Sequence, residues 1–118
     1  MLDITAPDAG FIAIVTIQLS RPEAREPLLD LLAGEVETWV RFRPGFLSAN
    51  YHVSTDGSRL VNYAQWVSEE AYRQSFRDNP NSGALREAIT AIPGVEGLEM
   101  VGYTLARSVA AAPSANAV

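Results

Sequence analysis

The chain has no lysine, no cysteine and a single histidine. Without cysteine there is no disulfide frame, no thiolate zinc site and no thiol nucleophile. One histidine rules out a metal centre built from two or three imidazoles of one chain. With 9 basic side chains against 14 acidic ones the formal charge is -5, and the arginines are scattered along the sequence. Nucleic acid and anionic membrane surfaces are therefore poor partners. No apolar run approaches membrane-spanning length, and the opening MLDITAPDAG lacks the apolar segment of a signal peptide, so a cytoplasmic location is expected. Also missing are a phosphate-cradling glycine loop, a G-x-G-x-x-G turn after the first strand and a G-x-S-x-G elbow, so no nucleotide cofactor site or hydrolase nucleophile is legible.

What is present suits one domain: 118 residues, 47% of them hydrophobic. Residues 11–19 form an apolar, β-branched run that reads as a central strand covered on both faces. Ser20, Pro22 and Glu23 then offer a capping box for a helix expected to reach about residue 42, with Ala24, Leu28, Leu31, Leu32, Val36, Trp39 and Val40 at helical spacing. Glu35 is the polar exception in that stripe and Gly34 a weak point. Pro44-Gly45 turns the chain into a hairpin. Ser68 can cap a short helix carrying Tyr72 and Phe76, which Asp78-Asn79-Pro80-Asn81 interrupts. A helix over 82–91, a Pro93-Gly94 loop extending through Gly97 and a last strand over 98–105 complete the pattern. Residues 1–107 are expected to form the domain, and 108–118, an Ala, Ser, Pro and Asn segment, a disordered tail.

Strand, helix, hairpin, broken helix, strand is a ferredoxin-like βαββαβ order, an α+β fold with an antiparallel sheet and helices on one face. The other face, rich in Val, Ile, Leu and Tyr, would be bare in a lone chain, and apolar area of that kind marks an interface. A homodimer with two sheets face to face is expected.

The densest chemistry lies in residues 43–66, RPGFLSANYHVSTDGSRLVNYAQW. Thr55, Asp56 and Gly57 suit a three-residue loop with glycine in the left-handed region. In that register Phe46 faces Trp66, Ser48 faces Ala64, Asn50 faces Asn62 and His52 faces Leu60, so the even-numbered residues share a polar, aromatic face. A one-residue slip, through a two-residue Asp56-Gly57 loop, would put His52 on the opposite face from Asn62. Each candidate has an ordinary alternative. His52 can be a satisfied structural residue, and Trp66 can be core packing. Asn62, pointing inward, needs backbone partners for its amide or a ligand. Arg86 can extend to solvent, pair with Glu87 or Glu70, or hold an anionic oxygen.

PGFLSANYHVSTDG, VNYAQW, EEAYR and ALREA together resemble the antibiotic biosynthesis monooxygenases, and in particular their cofactor-free quinone-forming members. The likeness runs from about residue 10 to residue 92. The resemblance implies a dimeric α+β barrel that oxidises a polycyclic aromatic polyketide phenol, of the anthrone or naphthol type, to a quinone with molecular oxygen and no cofactor or metal. It also implies catalytic roles for Asn62, Trp66 and Arg86, and places Tyr72 and His52 in the substrate pocket. His52 is there a candidate acceptor of the phenolic proton, its usual pKa being suitable. Two other readings stand beside it: haem degradation in the same architecture, with His52 as axial ligand, and a non-catalytic module that binds a polyketide intermediate.

Overall fold

Phe11–Leu19 forms the first strand, β1, and its partners on both sides make it central. The structure is a computed structural model that describes residues 9–77 and 82–112. After β1 come α1 (Arg25–Thr38), β2 (Phe46–Val53), β3 (Arg59–Trp66), α2 (Glu69–Arg77), α3 (Ser82–Thr90) and β4 (Val95–Tyr103). The four strands make one sheet in the order β2-β3-β1-β4, antiparallel throughout. This is the ferredoxin-like α+β fold that the element order implies. No helix among the described residues is long and apolar enough to cross a membrane.

Two local details at the ends of α1 differ from expectation. The Ser20 hydroxyl donates to the Gly94 carbonyl (3.3 Å) rather than capping the helix, and a 3-10 turn over Pro22–Ala24 precedes α1. At the other end α1 stops at Thr38, and a second 3-10 turn, Val40–Phe42, carries the chain to Pro44. Ser68 does cap α2, its Oγ accepting from the Ala71 N–H at 3.1 Å. Strand β4 starts at Val95, earlier than expected. Leu19 pairs with Val95 but Gln18 with Gly97, so Gly97 lies at a bulge inside the strand, a place glycine suits as well as a loop. The break expected over residues 78–81 lies outside the described residues, as does the tail beyond 112. Residues 104–112 carry no helix or strand and are exposed.

The hairpin takes the slipped register. Tyr51 faces Asn62, Asn50 faces Tyr63 and His52 faces Val61. Hydrogen bonds inside the loop explain the slip. Asp56 Oδ1 accepts from Ser54 Oγ (2.7 Å), Ser58 Oγ (2.7 Å) and Ser58 N–H (2.9 Å), while Ser54 Oγ accepts from Arg59 N–H (2.9 Å). Ser58 is thereby held in the loop instead of pairing with Ser54, and residues 55–58 make the connection. Ser54 N–H pairs with the Arg59 carbonyl (2.9 Å), and Gly57 takes the left-handed conformation at φ 75°. A bulge at Leu47 then undoes the shift, so that Phe46 again faces Trp66.

Strand alternation carries these pairings across the sheet. Toward the helices point Phe11, Ala13, Val15 and Ile17 of β1, and Leu60, Asn62, Ala64 and Trp66 of β3. The far face carries Ile12 and Ile14, Val61 and Tyr63, Val101 and Tyr103, with Ser48, Asn50, His52 and Gln65.

Three donors gathered on Asp56, first the Ser58 hydroxyl, then the Ser58 N–H and the Ser54 hydroxyl, hold its carboxyl down from 3.8 to about 2. A carboxyl lowered by folding stabilises the fold fully above its unfolded value, and that contribution vanishes as pH falls through about 2. Asp56→Ala is therefore less stable than the wild type to urea near neutral pH, with the difference closing toward about pH 2. A gap of equal size at both pH values would contradict this role for the loop.

Candidate functional site

The helices cover the sheet through two apolar clusters rather than one. The first gathers Ile17, Leu19, Leu28, Leu32, Leu60 and Ile89, and the second Phe11, Ala13, Val40, Ala64 and Trp66. Along β3 the inward residues run Leu60, Asn62, Ala64, Trp66, so Asn62 sits at the seam where one cluster ends and the other begins. A cavity of about 200 Å³ opens at that seam. Its walls draw on both clusters and include Asn62, Trp66, Tyr72 and Arg86 with Glu35, Tyr51, Phe46 and Phe76. Arg86 is exposed and Met100 is 44% exposed, so the mouth lies between α3 and β4.

Trp66 is 1% exposed and fixed among rings. Phe46 (5.2 Å between centroids, 76°), Tyr72 (5.5 Å, 83°) and Phe76 (6.0 Å, 61°) all meet it edge to face. Trp66 is thus core packing and cavity wall at once. Asn62 lies about 13 Å along the same strand. Its Oδ1 is buried and accepts no hydrogen bond among the described residues. A carbonyl left so costs about 1–3 kcal/mol, a cost that a ligand donor in the cavity would relieve. Arg86 forms no ion pair with a carboxylate of the described residues; the sequence alternatives of Glu87 and Glu70 are not taken up. It follows Leu85 on the covered side of α3, with Ile89 a turn beyond, which leaves the guanidinium at the mouth.

Two phenols complete the polar inventory. Burial pushes the Tyr72 hydroxyl above its ordinary value, against the opposing charge of Arg73. Tyr51 is pushed up to about 12 by burial and, secondarily, by the charge of Glu37, and its hydroxyl donates to the Leu32 carbonyl at 3.2 Å. Both therefore stay neutral over the working pH range.

Four of the five residues picked from the sequence meet at the cavity. His52 does not. It is exposed, paired with Val61 on the face away from the helices, because the loop around Asp56 moved β2 by one residue. The haem reading needed His52 inside the pocket and loses that ligand. The same slip brings in Tyr51, which the sequence register had put outside. Glu35 was visible only as a polar break in the α1 stripe.

Among the described residues no three His, Asp or Glu side chains gather in the way a metal centre needs. Residues 10–88 match the model of the antibiotic biosynthesis monooxygenases. The chain belongs to that family. A stretch of 73 residues, 62% of this chain, is 38% identical to the tetracenomycin-F1 monooxygenase of Streptomyces glaucescens and spans 65% of that protein's length. Among solved structures, a monooxygenase from the gene ActVA-Orf6 of Streptomyces coelicolor, crystallised with the ligand nanaomycin D, is 43% identical with a TM-score of 0.85. That alignment covers 94% of this chain and 100% of the other. SnoaB, a cofactor-independent oxygenase from Streptomyces nogalater, shares the fold at 19% identity and TM-score 0.65, over 86% of this chain and 98% of its own.

If the Asn62 amide serves a ligand and not the fold, an apolar residue of similar size belongs there on stability grounds. Asn62→Leu is accordingly expected to gain about 1 kcal/mol in urea unfolding, by filling the seam and removing the unpaired carbonyl. A loss of stability would make Asn62 a structural residue.

Proposed function

We propose that the protein is a cofactor-independent monooxygenase that oxidises a polycyclic aromatic phenol of polyketide origin, of the anthrone or naphthol type, to a quinone with molecular oxygen. The observation that carries this is the meeting on one apolar cavity of a locked tryptophan with an asparagine carbonyl and an arginine that have no partner among the described residues. The family membership and the nanaomycin D bound by the 43% identical relative support it.

The chemistry asks little of the protein beyond binding and charge. A phenol that loses its proton becomes an electron-rich anion, delocalised onto ring carbon, and passes one electron to oxygen. The radical pair combines into a carbon-bound peroxide, and loss of water leaves the quinone. Aromatic walls at Trp66, Phe46 and Tyr72 hold the flat ring system. Arg86 at the mouth stabilises the anion, and the Asn62 amide serves a substrate oxygen or the peroxide. The Tyr72 phenol, kept neutral, orients the polycycle as a donor.

Oxygen uptake with a dihydroxyanthrone, in chelated and flavin-free buffer, is expected to fall about 100-fold in Arg86→Gln and Asn62→Ala. In Trp66→Phe it falls by up to about 100-fold through misplacement of the ring system. His52→Ala, on the far face, stays close to wild type. Wild-type rates in all three cavity variants would overturn the assignment, and binding without any oxygen uptake would favour a non-catalytic module.

The same proposal includes a homodimer in which the far faces of two sheets pack together as a dimeric barrel. Ile14, Val61 and Val101 form an apolar strip there, with Val101 36% and Tyr103 48% exposed. Sedimentation is expected to give twice the chain mass, and Val101→Glu to shift it toward one chain. A monomeric wild type at micromolar concentration would contradict the dimer.

A further inference from the structure

With His52 outside the cavity, the reaction needs another group to take the phenolic proton. Among the described residues the titratable side chains on the cavity wall are Glu35 from α1, Tyr51 from β2, Tyr72 from α2 and Arg86 from α3, while β1, β3 and β4 supply none. Arginine is permanently a cation. Both tyrosines are held protonated by burial and act as donors. Among the described residues that leaves Glu35 as the acceptor.

Its placement fits that work. Glu35 is half-buried in the last turn of α1, a turn that carries no basic residue. No ion pair compensates it among the described residues. One oxygen, Oε2, accepts from the Trp39 indole N–H one helical turn on. Trp39 is in turn braced edge to face on Phe76, 5.4 Å between centroids. The carboxylate is therefore held by one oxygen, and Oε1 has no donor among the described residues.

We infer that Glu35 is the base that accepts the substrate's phenolic proton, with Trp39 as its positioning residue. In this step the phenol O–H bond breaks, a new O–H bond forms at Glu35 Oε1, and the electron pair stays on the phenolate, whose charge Arg86 offsets. The proton is later passed to the peroxide anion, which restores the carboxylate. This rests on the monooxygenase reading for its substrate, but it can fail separately from it.

Mixing a dihydroxyanthrone with the protein in the absence of oxygen isolates the proton transfer. Wild type is expected to show the red-shifted absorbance of the ionised ligand at a pH where the free compound is neutral. Glu35→Gln, which keeps an acceptor for Trp39, is expected to bind the compound in its neutral form. In air its turnover falls about 100-fold and recovers as pH rises. Glu35→Ala gives a second reading, in which added acetate restores the ionised band. An ionised band of equal size in Glu35→Gln, none in wild type, or no response of Glu35→Ala to acetate would each overturn the inference. Oxygen uptake by the wild type judges the monooxygenase reading, and ligand ionisation judges Glu35.

Discussion

The register between β2 and β3 decides what this protein presents to a ligand. Because side chains alternate along a strand, one residue of slip exchanges the two faces of β2. The slip is set by the Asp56 carboxylate, which accepts from Ser54 and Ser58, holds Ser58 in the loop and leaves Ser54 paired with Arg59. Tyr51 then lines the cavity and His52 leaves it. The bulge at Leu47 corrects the far end of the strand, returning Phe46 to the inner face against Trp66. An exposed loop at one end of the hairpin and a bulge at the other thus divide β2 into the segments that the cavity uses.

Asn62 has the complementary effect on β3. An apolar residue between Leu60 and Ala64 would join the two clusters into one continuous core. The asparagine keeps them apart, and α1, which packs on both clusters, spans the gap, with α2 over the second cluster and α3 over the first. The rings around Trp66 make one wall stiff, with four aromatic contacts between 4.9 and 5.5 Å among Phe11, Phe46, Trp66, Tyr72 and Phe76. Binding a flat ligand against such a wall orders few side chains, so little conformational entropy is lost there.

The sequence carried the element order and much of the site, for different reasons. Asn62 and Trp66 share a face because they are four residues apart on one strand, whatever β2 does. Tyr72 and Arg86 follow from helical spacing on elements that must cover the sheet. His52 and Tyr51 depend on register, which turns on three hydrogen bonds to one carboxylate that no periodicity encodes. Glu35 announced itself as a polar residue in an apolar stripe, but its link to Trp39 and its access to the cavity are tertiary facts. Likewise Gly97 marked an irregularity whose nature, a bulge and not a loop, only the pairing with Gln18 reveals.

On the proposed function, molecular oxygen enters a polycyclic phenol at the seam between the two clusters without help from a cofactor. Its most direct test is the fate of heavy-isotope-labelled oxygen gas supplied to metal-free, flavin-free protein with a dihydroxyanthrone. One labelled oxygen atom is expected in the quinone product and the other in water. A quinone that carries no label, or no enzyme-dependent quinone at all, would rule that route out.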